Sequence, residues 1–349
     1  MFFASDNGGP AHPKIMDALL AANEGNASGY GAEAAMAELR QTIREVFEAP
    51  EAAVYLTVSG TSANALLLAT LTQPWQTIFC ADCSHIHEDE CNAPEFFTGG
   101  AKLTLVGTEH GRFTAEALAA KIAAEETRGV HGPQRGPVSI TQTTERGTNY
   151  GLADIAAIAE VAKAHDLPLH LDGARFANAL VALGCTPAEM TWKAGVDAVS
   201  FGGTKNGCIG VEACILFDPK KAWEFELRRK RAGHLMSKHR YLSAQMAAYL
   251  RDGLWLEMAR AANGRAADLA AGFEGHAEAR LLHPVEANIL FFEAPRHLHR
   301  HLMGAGATYY TMNGEVGAGD PDEALIGRLV CDWSVTAETV ARFTETLKG

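Results

Sequence analysis

Basic residues are in short supply in this sequence. Thirty lysines and arginines face 42 aspartates and glutamates, a formal charge of −12 over 349 residues. That deficit removes any net attraction to phosphate backbones or anionic lipid, which argues against nucleic-acid and membrane partners. Cysteine is sparse as well. Seven of them, an odd number scattered along the chain, make no disulfide framework and point to a reducing cytoplasm. The first residues, Met1-Phe2-Phe3-Ala4-Ser5-Asp6-Asn7, lack a basic segment followed by an apolar one, so no signal peptide is expected. Residues 52–81 carry no charge, but Ser59, Gly60, Thr61, Asn64, Gln73 and Pro74 interrupt them. They read as buried strand, loop and helix, not as a membrane span. There is no internal repeat and no low-complexity segment.

What is present is alternation. Apolar spacing predicts helices over 13–23, 33–47, 65–71, 114–126 and 152–165. Strands are expected over 54–58, 102–106, 138–142, 167–171 and 211–217, with another leading into residue 201. Such alternation implies an α/β fold with a mostly parallel central sheet covered on both faces. From 219 to 262 the pattern is helical. Helix 266–273, strand 288–292, a further helix, strand 325–331 and helix 337–347 then suit a smaller α+β domain. A chain of this length is long for one core, and the division expected is 1–240 (arm and large domain) and 241–349.

Two strand ends carry the chemistry. Ser200-Phe201-Gly202-Gly203-Thr204-Lys205-Asn206-Gly207 runs from a strand into a turn that presents one lysine. A lysine that loses hydration there has a lowered pKa and can form a Schiff base with an aldehyde; a solvated loop lysine is the alternative. Pro168-Leu169-His170-Leu171-Asp172-Gly173-Ala174-Arg175 is a strand ending in a carboxylate, where ligands bind in open α/β sheets. Asp172 suits the ring nitrogen of pyridoxal 5'-phosphate, and it would also serve as a helix cap. Together, Asp172 and Lys205 favour the cofactor.

Ser59-Gly60-Thr61-Ser62-Ala63-Asn64 between strand and helix offers free N–H groups to a phosphate, or an ordinary cap. Cys80, Cys83, His85, His87 and Cys91 have the spacing of a metal site without a second paired cluster. The competing reading lays the His85 imidazole on a cofactor ring. Arg328 lies inside an apolar strand, where an incoming carboxylate or a neighbour such as Asp332 would have to pair it. Tyr30, between glycines, is either a loop residue or a reach into a neighbouring subunit. The basic knot Arg228-Arg229-Lys230-Arg231 reads as a solvated helix face.

With these stretches in view, the sequence resembles the low-specificity L-threonine aldolases and the related phenylserine aldolases, within the fold type I (aspartate-aminotransferase-like) pyridoxal phosphate enzymes. The motifs that carry the resemblance are Ser5-Asp6-Asn7, Tyr30-Gly31, SGTSAN, SHIHEDE, HLDGAR, SFGGTKNG and RLVCDWSVT. The resemblance implies Lys205 as the Schiff-base lysine, Asp172 as the pyridinium partner and His85 as the stacked imidazole. It further implies Ser59, Gly60 and Thr61 as the phosphate turn. Ser5, Arg175 and Arg328 become the substrate-carboxylate site, with Arg175 also near the ring oxygen, and Tyr30 a contribution from the neighbouring subunit. No metal is implied. The activity implied is cleavage of a β-hydroxy-α-amino acid to glycine and an aldehyde by a cytoplasmic homo-oligomer, dimer or tetramer, with shared sites. β-Elimination or racemisation on the same cofactor is the alternative, and a zinc- or nucleotide-binding module a third. One departure stands out. Several members have a histidine after the strand at 138–142, near the substrate hydroxyl, where this chain reads Thr143-Thr144-Glu145. The resemblance therefore assigns no hydroxyl-contacting group and no preference between threo and allo substrates.

Overall fold

A computed structural model describes residues 1–125 and 127–349 of the chain. Its central sheet has strands β1 (Ala53–Thr57), β2 (Gln76–Ala81), β3 (Lys102–Val106), β4 (Gln134–Thr141), β5 (Leu169–Gly173), β6 (Ala198–Gly202) and β7 (Glu212–Leu216), in the order β1-β7-β6-β5-β4-β2-β3. Neighbours from β3 through β6 pair in parallel, whereas β7 runs antiparallel between β1 and β6. β5, β6 and β7 are buried along their whole length. Strands covered on both faces read as continuous apolar runs, which is why Leu169–Leu171 and Ala198–Phe201 stood out.

Parallel neighbours need a crossover, which helices Leu152–Lys163 (β4 to β5) and Phe176–Leu183 (β5 to β6) supply, while helix Gly60–Leu71 carries the chain from β1 at the edge across to β2. The charge-free stretch is accounted for here. Residues Ser62 to Thr70 of helix Gly60–Leu71 are all buried, between two strands that are themselves largely buried. That helix begins at Gly60, earlier than the expected 65, because the Ser59 hydroxyl accepts from the Ser62 N–H and turns the small-residue loop into a first helical turn. The helix expected over 114–126 spans Ala115–Ala124, and residue 126 lies outside the described residues.

A second sheet holds β8 (Arg280–Leu281), β9 (Ile289–Pro295), β10 (Tyr310–Thr311) and β11 (Ala324–Val330), antiparallel in the order β10-β11-β9-β8. The break expected near Gly264 is absent. Helix Leu254–Ala271 runs straight through it. A helical glycine costs about 1 kcal/mol, and burial of Met258, Ala259, Ala262, Ala266 and Leu269 along one face outweighs it. This helix starts in the core under the large sheet, beside Phe201, and ends in the core of the small one.

The N-terminal arm ties the two sheets together. Phe3 is buried in the small core, its N–H donating to the Thr308 carbonyl (2.8 Å) and its carbonyl accepting from the Val330 N–H (2.9 Å). Farther on, the His12 N–H donates to the carbonyl of Gly207 (2.9 Å), two residues past Lys205. The arm thus carries Ser5 and Asp6 from β11 to the lysine turn.

Phe201 anchors the large core, its ring meeting Phe47, Phe176, Tyr249 and Trp255 at centroid distances of 5.5, 5.3, 5.9 and 5.5 Å. Phe201→Ala is expected to lower stability by about 3–5 kcal/mol, read as a reduced urea midpoint. Val130→Ala, at an exposed side chain, should stay within about 0.5 kcal/mol.

Candidate active site

Because β1 and the parallel strands β2 to β6 point the same way, their C-terminal ends form one rim, and the loops that leave it converge. β1 delivers Ser59, Gly60 and Thr61; β2 delivers His85; β5 delivers Asp172; β6 delivers Lys205. These side chains, with Asn7, Asn64, Glu90, Ala174, Thr204 and Glu212, line one cavity of about 220 Å³. Open α/β sheets place their ligands at this edge. A wider groove of about 970 Å³ opens at the opposite edge, around Pro168, Asp197 and Phe217. It lacks the combination of lysine, imidazole and hydrogen-bonded carboxylate, so volume alone is a poor guide.

Asp172 is held on both oxygens. Oδ1 accepts from the Ala174 N–H (3.0 Å) and Oδ2 from Nδ2 of Asn64 (2.8 Å). Asn64 is itself fixed, its Oδ1 accepting from the Ser200 hydroxyl (2.8 Å) and its Nδ2 also donating to Glu90 (3.0 Å). Ser200 sits opposite Asp172 in the β5–β6 register, which brings the serine within reach.

Lys205 lies in a single turn, Thr204–Asn206, that follows β6. Its amine makes no hydrogen bond or ion pair among the described residues, and the side chain is half-buried. The turn is built by close backbone approach. A Cβ at Gly202 would lie 2.5 Å from the Ala174 carbonyl, so only glycine lets β6 pass that loop. Glu212 then pins the turn by accepting from the Gly203 N–H (3.0 Å). Burial pushes the Glu212 carboxyl up to about 7, against the opposing pull of its hydrogen bonds and of Lys205.

The half-buried His85 ring gives Nδ1 to Glu90 (2.8 Å). That bond raises the imidazole pKa above its ordinary value, outweighing burial, with Asp172 and Glu145 adding to the rise. Among the described residues no three His, Cys, Asp or Glu side chains converge as metal ligands. Cys80 is buried within β2 and Cys83 faces the Thr108 hydroxyl (3.8 Å).

Beyond the lysine stands a second charged group. Arg175 is buried and bidentate to Asp6, Nε to Oδ2 at 2.6 Å and Nη2 to Oδ1 at 2.9 Å. Burial alone would raise the Asp6 carboxyl, but Arg175 and Lys205 outweigh it and hold the pKa below the usual carboxylate range. Arg328 projects from β11 beside this pair. Its Nη2 has a long contact to the Ala4 carbonyl (3.5 Å), and its Nε is buried without a partner among the described residues. Burial first, and then Arg175, lower its pKa. No Arg328–Asp332 ion pair occurs among the described residues, since Asp332 accepts instead from the N–H and hydroxyl of Ser334. Ser5 caps the following turn by accepting from the Asn7 N–H (3.2 Å).

Tyr30 is not in the cavity. It is half exposed, with Lys230 over its ring at 4.8 Å, in a hollow that shares only Val58 with the site. Sequence reasoning passed over Asn64, Glu90, Ser200, Glu212 and the role of Asp6. Asn64 sits one helical turn after Thr61, a spacing that presents both to the same end. Ser200 and Asp6 give no such signal, because their partners come from distant segments, whereas Glu90 and Glu212 bond nearby groups, His85 and the Gly203 N–H, in a geometry that no spacing rule marks.

Comparison with known proteins gives the family. The model of the beta-eliminating lyase family matches residues 3–295. The low specificity L-threonine aldolase of Pseudomonas aeruginosa is 38% identical over 349 residues, covering 99% of this chain and 96% of that one. Its counterpart from a Pseudomonas species is 39% identical over 99% of this chain and 97% of its own. Among solved structures, the threonine aldolase of Leishmania major superposes with a TM-score of 0.92 at 28% identity, covering 99% of this chain and 98% of that one. The fold is thus that of the fold type I pyridoxal phosphate enzymes, and the chain belongs to the beta-eliminating lyase family, among its low-specificity L-threonine aldolases.

Proposed function

We propose that this chain cleaves L-threonine, L-allo-threonine and related β-hydroxy-α-amino acids such as phenylserine to glycine and an aldehyde, with pyridoxal 5'-phosphate as cofactor. The observation that carries the reading is the shared cavity of Lys205 and Asp172, beside the N-terminus of helix Gly60–Leu71.

The residues present fit the cofactor. The first two N–H groups of that helix, on Gly60 and Thr61, have no intrahelical acceptor. An ideal Cβ at Gly60 would meet nothing within 4 Å, which leaves the approach to them open. Lys205 would hold the aldehyde carbon, Asp172 the ring nitrogen, His85 a ring face, and Ser59, Gly60 and Thr61 the phosphate. When bound, pyridoxal phosphate supplies a carbonyl that captures the substrate amine and a ring that takes up the electron pair released at Cα.

The protein's own groups do the rest. Arg328 anchors the substrate carboxylate, because its unpartnered Nε and loosely engaged Nη2 leave a guanidinium edge to fill. Arg175 helps with the edge that Asp6 does not occupy, and Ser5 flanks the same place. Fixing the carboxylate turns the Cα–Cβ bond toward the direction in which it must break. His85 takes the β-hydroxyl proton, directly or through a water that it or Glu145 positions. Glu145 lies in the loop after β4, and its charge acts on His85, Arg175 and Arg328.

Seven free thiols support a reducing, cytoplasmic setting. No helix among the described residues is long and apolar enough to cross a membrane. The exposed Tyr30 beside Val58, on the rim of the cavity, supports a homo-oligomer, dimer or tetramer, in which a neighbour's tyrosine completes the site.

Incubation with L-threonine should release glycine and acetaldehyde in equal amounts; 2-oxobutanoate and ammonia in their place would overturn the aldolase reading. Lys205→Ala should abolish both turnover and the visible absorbance of the bound cofactor, and a variant that keeps normal turnover would refute the assignment. Arg328→Met removes a charge-assisted contact of about 1.5–3 kcal/mol. It should therefore raise KM roughly 10- to 100-fold, with a smaller change in kcat.

A further inference from the structure

The carboxylate at position 90 is buried, lines the cavity and has no part in the reaction as described above. A buried carboxylate is costly unless its oxygens are hydrogen-bonded. Glu90 meets that need on one oxygen only. Oε1 accepts from His85 Nδ1 at 2.8 Å and from Asn64 Nδ2 at 3.0 Å, while Oε2 has no partner among the described residues.

The proton positions follow from the surroundings. The amide of Asn64 receives the Ser200 hydroxyl on its oxygen, so its nitrogen is the donor toward both Glu90 and Asp172. Glu90 Oε1 is therefore an acceptor, and the proton of the His85–Glu90 bond lies on Nδ1. A neutral imidazole protonated at Nδ1 carries its lone pair on Nε2.

We propose that Glu90 is a positioning residue: it fixes His85 with Nδ1 protonated so that Nε2 is the base for the substrate hydroxyl, and Asn64 ties this pair to Asp172. The inference rests on the aldolase reading. In the step itself the substrate O–H bond breaks and its proton goes to Nε2. The oxygen's pair becomes the C=O of the aldehyde as the Cα–Cβ bond opens. The proton stored on the imidazole balances the one that Cα takes up in glycine. Glu90 stabilises the imidazolium in between, as the third member of a nucleophile–base–orienter arrangement does for its base.

The electrostatics run the same way. The bond to Glu90 is the leading cause of the raised His85 pKa, ahead of the opposing effect of burial. The other charged groups that face the ring are Asp172 from β5 and Glu145 from the loop after β4, which add to the rise, and Lys205 from the turn after β6, which opposes it. Glu90 itself is pushed up by burial and by Asp172, while its bonds to His85 and Asn64 pull the other way.

The test is Glu90→Gln in the holoenzyme, with the pKa of His85 read by histidine C2–H exchange and mass spectrometry. A His87→Asn background separates the signal from the exposed neighbour in the same peptide. A carboxylate beside the ring stabilises the imidazolium, so loss of its charge should lower the His85 pKa. The acid limb of kcat/KM should then move to lower pH in step, and kcat should fall roughly 10-fold or more with KM little changed. Glu90→Asp, which keeps the charge, should recover part of both readouts and guards against a variant that merely fails to fold. An unchanged His85 exchange pKa in Glu90→Gln, or an acid limb that does not follow it, overturns the inference. The exchange readout needs no turnover. A wild-type protein that releases no aldehyde from threonine would instead overturn the aldolase reading, so the two failures are distinguishable.

Discussion

The site depends on keeping several carboxylates inside the protein within a few residues' reach of one another. Asp172, Glu90, Glu212 and Asp6 are all buried around the lysine turn. In a medium that solvates charge poorly, each must find donors or give up its charge. Each resolves this differently. Asp172 is bonded by a backbone N–H and an asparagine, and Asp6 by the two-pronged grip of Arg175. Glu90 shares one oxygen between a histidine and that same asparagine, and Glu212 holds the backbone of the turn it faces. The hydrogen-bond geometry of the cavity follows from these solutions.

Asn64 is the joint. It is the one side chain among the described residues that touches both Asp172 and Glu90, and through Ser200 it is braced against β6. It sits one turn into a helix whose first N–H groups face the cavity, so one element supplies both the anion-binding end and the brace. A helix almost entirely buried can do this because its axis and rotamers are set by packing on every side. The N-terminal arm is the counterpart on the other side. Hydrogen-bonded to the small sheet at Phe3 and to the lysine turn at His12, it holds Asp6 against Arg175 and leaves Arg328 as the guanidinium with a free edge.

Motif and structure meet most closely where a candidate site residue lies next to a strand end. Lys205, Asp172, His85 and the Ser59–Thr61 turn were all legible, because each follows an apolar run directly and the topology sends those runs to one rim. Arg328 was legible as an oddity, a cation inside an apolar strand. Arg175 was read as free for a ligand carboxylate, and two of its donor nitrogens turn out to be engaged by Asp6, a residue quoted in the motif but given no part. The long helix through Gly264 was missed for a related reason. Local propensity disfavours it, while burial against two separate cores sustains it.

By itself the sequence determined most of the strand–helix alternation (though not β2 or the helix through Gly264), the mostly parallel character of the central sheet and the residue types at the edge that holds the candidate site. These follow from local spacing, which hydrophobic burial and backbone geometry read directly. Only the tertiary structure decided which charge meets which. Asp6 with Arg175, Asn64 with Asp172 and Glu90, and Ser200 with Asn64 are each made across a long stretch of chain. The partner of a buried charge is whatever donor the fold brings within 3 Å, and no local pattern encodes that.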